Sequence, residues 1–345
     1  MDASSFDEIV ITGFGARTSL GSATMTMPAV EAGLNRFREH PYMIDKTGEP
    51  IITAMASYLD PGLDLPGRWQ ALAGGALKDL ALGASSLPRT CFLGLPELRP
   101  GVENTLVEEI SAWLTQSWGI TRVVPFNQGH AAGVGALHGA RTHLNDHKGP
   151  VLVGGLDSYL SPETLEWLDE TDRLKTAQHP FGFIPGEAAA FCVVDSGIPG
   201  DTHPSRIRQL ALSQEEKLIY TDAVCTGEGL SQSFRQSLSQ LGEGLQVSQL
   251  IGDLNGVPYR ADEFGFATMR NAEKISPAMN LFTPADCWGD VGAASSLLFL
   301  GLVMRVGSPP PGRHRFHLCW TSSEGGARGS VLVDTRGGGP DAGHH

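Results

Sequence analysis

At 345 residues, with 41% hydrophobic and 18% charged side chains, the chain is long enough to bury a large core as one domain or two fused halves, and long disordered tracts are excluded. A formal net charge of −13, with no Lys/Arg cluster interleaved with aromatics, leaves no basic face for a phosphate backbone, so nucleic acid is not expected as a ligand. No run reaches the ~20 apolar residues of a membrane span, and the acidic start Met1-Asp2-Ala3-Ser4-Ser5-Phe6-Asp7-Glu8 lacks the basic start and apolar run of a signal peptide, so none is expected.

In chain order, short apolar or β-branched runs alternate with longer helical patterns, the mark of a layered α/β fold. Glu8 to Gly15 reads as a buried strand ending in a glycine turn, and Cys91 to Leu95, Val151 to Gly155 and Ala189 to Val194 repeat that style. Helical periodicity fits 102–118, 130–145, 161–168 and 228–241. Pro199-Gly200-Asp201 and His203-Pro204 interrupt the chain near its middle, after which strand and helix signals resume through Leu250-Ile251-Gly252-Asp253 and Ala293 to Met304. Two similar halves are therefore expected, 1–200 and 201–336, followed by a flexible tail at 337–345. A short internal echo agrees: Gly129-His130-Ala131-Ala132-Gly133 opens a small-residue helix in the first half, and Gly289-Asp290-Val291-Gly292-Ala293-Ala294 opens one in the second.

Five cysteines, Cys91, Cys192, Cys225, Cys287 and Cys319, lack CxxC spacing, so neither a disulfide framework nor a zinc ribbon is expected, and a reducing cytoplasm is the natural setting. No cofactor or metal is expected. His130 with Asp290 supplies too few ligands, and the terminal His344 and His345 decorate solvent.

Several motifs together resemble the thiolase-fold β-ketoacyl-ACP synthases. They are the opening Ile9-Val10-Ile11-Thr12-Gly13-Phe14-Gly15-Ala16; the block Gly154-Gly155-Leu156-Asp157-Ser158, Arg173-Leu174 and Phe181-Gly182-Phe183-Ile184-Pro185-Gly186-Glu187; the loop Asp253-Leu254-Asn255-Gly256; the helix start Gly289-Asp290-Val291-Gly292-Ala293-Ala294-Ser295; and the glycine-rich Ser323-Glu324-Gly325-Gly326. The resemblance covers roughly residues 6–334. It implies duplicated βαβαβαββ halves in five layers, α-β-α-β-α, and a dimer, either a homodimer or a heterodimer with a related chain.

The resemblance also places the chemistry, and there the chain departs from the pattern. Where the synthases carry a nucleophilic cysteine, this sequence reads Asn127-Gln128-Gly129-His130-Ala131-Ala132-Gly133. Thiolate at a helix N-terminus is activated by the helix dipole and forms a durable thioester; an acyl-imidazole hydrolyses readily. The two partner positions fall on Asn255, which can donate, and on Asp290, which when ionised only accepts and repels a developing negative charge. Ser322, Ser323 and Glu324 replace the gating phenylalanines, and Ala285 and Asp286 stand where a lysine is expected. Cys225 and Cys287 are the thiols nearest the inferred site, and both read as core residues, as Ser158 reads as a turn or cap residue. Arg173 and Glu187 read as a charged pair serving the fold or a dimer contact.

Two functional classes follow from these departures. One is a non-condensing, dimeric binding or scaffold protein, as chain-length-factor subunits are beside their synthases. Its possible partners are an acyl carrier protein or, by resemblance to accessory proteins of that system, an effector of type VI secretion. The other is an acyltransferase or acyl-thioester hydrolase of altered chemistry that uses His130 as base, with the degenerate triad His130, Asn255 and Asp290 as its site.

Overall fold

The computed structural model describes residues 8–83, 86–147, 149–197, 206–305 and 316–335; the expected tail at 337–345 lies outside them. The first half runs β1 (Ile9–Thr18), β2 (Gly21–Ser22), α1 (Ala23–Glu31), β3 (Arg38–Ile44), β4 (Pro50–Thr53), α2 (Leu65–Ala81), β5 (Thr90–Leu95), α3 (Asn104–Trp118), β6 (Arg122–Asn127), α4 (Ala132–Asp146), β7 (Val151–Ser158), α5 (Pro162–Glu170) and β8 (Glu187–Ser196). The second runs β9 (Arg206–Gln214), α6 (Glu228–Leu238), β10 (Val247–Gly252), α7 (Pro258–Arg270), β11 (Ile275–Phe282), α8 (Ala285–Trp288), α9 (Ser295–Arg305), β12 (Phe316–Ser322) and β13 (Ala327–Asp334). Expected helix ends shift by one to three residues where the chain places its caps. Asp64 accepts the Gly67 N–H at the start of α2, and Ser161 accepts that of Thr164 at the start of α5.

The duplication is visible in the sheet. Spatial order in the first half is β6-β5-β7-β8-β1 and in the second β11-β10-β12-β13-β9, so the two halves follow the same path. In each, the first two pairings are parallel and the last two antiparallel. A short antiparallel contact between β1 and β9, Ile9 opposite Ile207 and Val10 opposite Arg206, joins them.

Helices α4 and α9 form the middle layer. α4 packs on β5 and β7 of its own half and on β9 and β13 of the other, while α9 packs on β12 and reaches back to β7 and β8. α2 and α3 cover the far face of the first half-sheet, and α6 and α7 that of the second, which completes the five layers. The run Leu297 to Val303 explains the centre of this arrangement: a helix enclosed on all sides must be apolar on all sides, and every residue of that run in α9 is buried. Among the described residues no helix is long and apolar enough to cross a membrane.

The internal echo exists but in a different register. A one-turn 3-10 helix precedes α4 at Gly129–Ala131 and another precedes α9 at Gly292–Ala294, each opening on a glycine with positive φ, +61° and +48°. Gly129 is thus equivalent to Gly292 and not to Gly289, and the position equivalent to His130 is Ala293. A side chain at Gly292 would also collide with the Asp157 carboxylate. Short glycine-alanine strings align in several registers equally well, and the tight turn selects one.

The separation between β7 and the start of α9 is set by Gly155, where a Cβ would stand 2.7 Å from the Ala293 carbonyl oxygen. Gly155→Ala is expected to lower stability by about 1–3 kcal/mol through overpacking against backbone, measured by urea unfolding. A neutral result would show that β7 and the start of α9 are free to separate.

Candidate active-site position

Both elbows point their first residues toward the same buried place. His130 follows β6 in the turn that opens α4, and Asp290 follows Gly289, whose φ of +74° turns the chain out of α8. Asp290 is pinned by its backbone, its N–H donating to Ile184 O at 2.8 Å and its carbonyl accepting the Gly186 N–H at 2.8 Å. Asn255 lies in the loop between β10 and α7, where its Oδ1 accepts the Val257 N–H in an Asx-type turn.

These elements bring the three expected residues together. His130 Nε2 lies 2.7 Å from Asp290 Oδ1, Asn255 Nδ2 donates to Asp290 Oδ2 at 2.7 Å, and the Gly292 N–H donates to Oδ1 at 2.9 Å. His130 and Asp290 are 3% and 5% exposed, so the contact is shielded from solvent. Burial alone would push the histidine pKa down, but the Asp290 carboxylate outweighs it and holds the ring above its ordinary value. Burial would likewise raise Asp290, and it is overcome by His130, Arg260 and the Gly292 N–H, which hold that carboxyl far below the usual range. An ionised carboxylate can only accept, so Nε2–H is the donor of this contact, and the raised pKa favours the protonated ring.

Arg260, which sequence reasoning passed over, completes the cluster from the first turn of α7. Its Nη1 donates to Asp253 Oδ2 at 2.7 Å and to Ser322 O at 2.8 Å, and its Nη2 lies 3.4 Å from His130 Nε2. With the ring protonated, two cations, His130 and Arg260, sit beside two carboxylates, Asp290 and Asp253, in a buried cluster with no net charge. Removing any one member leaves a buried charge uncompensated. A lone arginine at a helix start carries no pattern that marks it in the sequence, since its partners lie on other elements.

The groups that would serve an acyl substrate are engaged elsewhere. The Ala131 N–H donates to Ser323 Oγ at 2.8 Å, and Ser323 Oγ in turn donates to Gln128 O. Ser322 donates its N–H to Asp253 and its hydroxyl to Glu263. Glu97 leans over Gly129 and accepts the Gly325 N–H at 3.1 Å. Glu324 pairs with Arg173 at 2.8 Å, and the Arg173 guanidinium lies over the rings of Trp167 and Tyr220.

The expected Arg173 and Glu187 pair is not formed. Glu187, fully buried at the start of β8, takes a bidentate contact from Arg68 of α2 at 2.6 and 2.8 Å, so each residue serves the fold through a different partner. Sequence proximity within one motif block suggested the pairing, but β8 turns Glu187 inward under α2 while Arg173 faces the β12–β13 turn. Ser158 donates to Glu187, in keeping with its structural reading. The five cysteines are free thiols. Cys287 packs in the core with its sulfur 3.9 Å from Val30 O, and Cys225 lies against Tyr259 O; neither bonds to His130, Asn255 or Asp290. Among the described residues no group of three or more His, Cys, Asp or Glu is arranged to hold a metal.

No protein-family model matches the chain, and no curated protein matches it in sequence. Solved structures do match it in shape. A chain of the complex between a type II polyketide synthase acyl-carrier protein and its ketosynthase superposes with a TM-score of 0.76 at 13% identity, over 96% of this chain and 100% of that one. The chain has the thiolase-like fold of the ketosynthases. The ishigamide ketosynthase/chain length factor gives 0.72 at 16% identity over 96% and 100% of the two chains, and a β-ketoacyl synthase from Burkholderia phymatum gives 0.66 at 17% over 95% and 99%. The ketosynthase-like fold thus extends through nearly the whole chain while its elbow holds an ion cluster.

A histidine with a raised folded pKa stabilises fully below its unfolded value near 6.5, and that contribution is lost as pH rises through the folded pKa. Asp290 works in the opposite sense, its contribution present above 3.8 and lost as pH falls through its depressed value. The thermal stability of wild type over His130→Gln should therefore be greatest near pH ~5 and shrink as pH rises above ~6.5. A difference that stays constant between pH ~5 and ~9 would show a neutral ring. Asp290→Ala is expected to cost about 3–5 kcal/mol by leaving His130, the Asn255 amide and the Gly292 N–H without their buried acceptor.

Proposed function

We propose that the chain is a non-condensing ketosynthase-like protein, a dimeric binding or scaffold subunit in which His130, Asn255 and Asp290 hold the fold together and perform no condensation. The observation that carries this reading is the closed cluster at the elbow. A condensing site needs a thiolate and donors aimed at an anionic oxygen. Here the donors of His130, Asn255 and Gly292 all point at the protein's own Asp290 carboxylate, and Ser323 occupies the Ala131 N–H. Five free thiols support a reducing, cytoplasmic setting.

Partners follow from the same reading. Solved neighbours include a ketosynthase with its acyl-carrier protein and a ketosynthase/chain length factor, which supports a carrier protein or a related chain as the partner here. β6 is at one end of the sheet and none of its residues is fully buried, and an unpaired strand edge of this kind is suited to pairing with a second copy or a related chain. The narrower role of adaptor for a type VI secretion effector rests on the sequence resemblance. Gene neighbourhood tests it: spike and toxin genes alongside support it, and carrier-protein and ketoreductase genes would replace it with lipid or polyketide assembly.

The competing reading, an acyltransferase or thioester hydrolase with His130 as base, is favoured by the His130–Asp290 contact, because a carboxylate raises imidazole basicity. Against it, Nε2 is committed to Asp290, and among the described residues no hydroxyl or thiol is hydrogen-bonded to the ring.

Purified protein is expected neither to condense acyl-ACP with malonyl-ACP nor to decarboxylate malonyl-ACP above background, and mass spectrometry after incubation with acyl-CoA should find no adduct. Hydrolysis of acyl-CoA that disappears in His130→Gln while the melting temperature holds would replace the scaffold reading with the hydrolase. Light scattering should give a mass near twice 36.7 kDa, or a heterodimer with a related chain; a monomer at micromolar concentration would remove the shared-edge argument.

A further inference from the structure

Away from the elbow, a cleft of about 660 Å³ opens between the β3–β4 hairpin and the starts of three helices, α2, α3 and α5. Its volume is within the ~300–1,000 Å³ of ordinary ligand sites. Met43, Leu65, Leu106 and Leu160 supply an apolar floor, and Tyr42 and Leu63, which are 68% and 37% exposed, stand along its sides.

Two further features give the cleft a polarity. The lining contains four carboxylates, Asp64, Glu103, Glu109 and Glu163, and no lysine or arginine. Glu103, Glu109 and Glu163 are exposed and make no ion pair among the described residues. Asp64 and Glu103 stand at the N-caps of α2 and α3 and Glu163 in the first turn of α5, whereas Glu109 lies beyond the first turn of α3 and answers to no helix end. The second feature is His40, a cleft residue only 8% exposed. Its Nδ1 accepts the N–H groups of Tyr42 and Met43 at 3.3 and 3.1 Å, which places the ring proton on Nε2, and that donor has no partner among the described residues. Burial, with Arg68 nearby, pushes the His40 pKa down and keeps the ring neutral against the opposing pull of Glu187.

The His40 Nε2–H, open to solvent, can donate to a carbonyl, the floor suits apolar side chains and the rim suits cations. We propose that this cleft binds a segment of a partner protein whose apolar side chains are flanked by lysines or arginines. A polyamine would answer the rim but offer neither a carbonyl for His40 nor side chains for the floor, and an acidic segment would meet four like charges. The proposal builds on the binding role proposed above by naming the partner's chemistry, but it concerns a different surface; acyl turnover at the elbow would refute that role and leave the cleft untouched.

The test is fluorescence anisotropy on the full chain with three short labelled peptides, one of leucine pairs flanked by lysines, one with glutamate in place of lysine, and one with serine in place of leucine. The leucine-lysine peptide should bind at least ~10-fold more tightly than either of the others and weaken with added salt. The triple variant Glu103→Gln, Glu109→Gln, Glu163→Gln should weaken it by at least ~10-fold, and Tyr42→Ser should weaken it without changing the salt dependence. All four positions are exposed, so the melting temperature should hold. Asp222→Asn, Glu243→Gln, Glu273→Gln carries the same change in net charge on exposed positions outside the cleft and should leave binding unchanged. Equal loss in both triple variants, equal binding of the serine-lysine peptide, or no binding of the leucine-lysine peptide would overturn the proposal.

Discussion

Four charges buried at the start of the two central helices constrain the rest of the molecule. Each ion taken alone from water into such a place costs several kcal/mol, so the cluster is tolerable only complete and only with its hydrogen bonds made. His130 comes from the first half, Asn255, Arg260, Asp253 and Asp290 from the second, Ser322 from the end of β12 and Ser323 from the turn after it. Correct docking of α4 beside α9 is therefore coupled to correct pairing of charges, and misregistered halves would strand ions.

The same cluster is the physical basis of the proposed loss of condensing chemistry at the elbow. Electrostatic catalysis depends on donors left waiting for charge that develops in the transition state. When the protein supplies its own carboxylate at that spot, the donors are satisfied in the ground state and little is left for a substrate. The ketosynthase-like architecture does not rest on the elbow alone: the apolar middle layer between the half-sheets and buried pairs such as Arg68 with Glu187 and Arg328 with Glu263 stabilise it as well. Fold and chemistry are separable here, since the layers are held by area and the reaction by a few atoms.

Charge is distributed differently at the cleft beside β3–β4. The elbow pairs every ion internally and hides it, while the cleft leaves carboxylates unpaired at an exposed apolar surface. Internal compensation marks a structural cluster, and external deficit marks a surface whose complement lies on another molecule.

The sequence alone determined the layered α/β class and, through its resemblance to the ketosynthases, the duplication and the near-complete extent of the pattern, because periodicity, glycine turns and motif order are local or ordered along the chain; the same resemblance singled out His130, Asn255 and Asp290, which the structure brings into contact. Strand and helix patterns such as Val151 to Gly155 and Leu297 to Met304 could be read directly, since burial on every side demands continuous apolar runs. Tertiary structure decided the rest: that Gly129 corresponds to Gly292, that Arg173 and Glu187 take different partners, that Arg260 and Asp253 join the elbow, and that His40 faces a cleft with four carboxylates. Each of these depends on which side chains meet across elements far apart in sequence, and pairing of that kind is fixed by the docking of half-sheets and helices, which leaves no periodic trace in the order of residues.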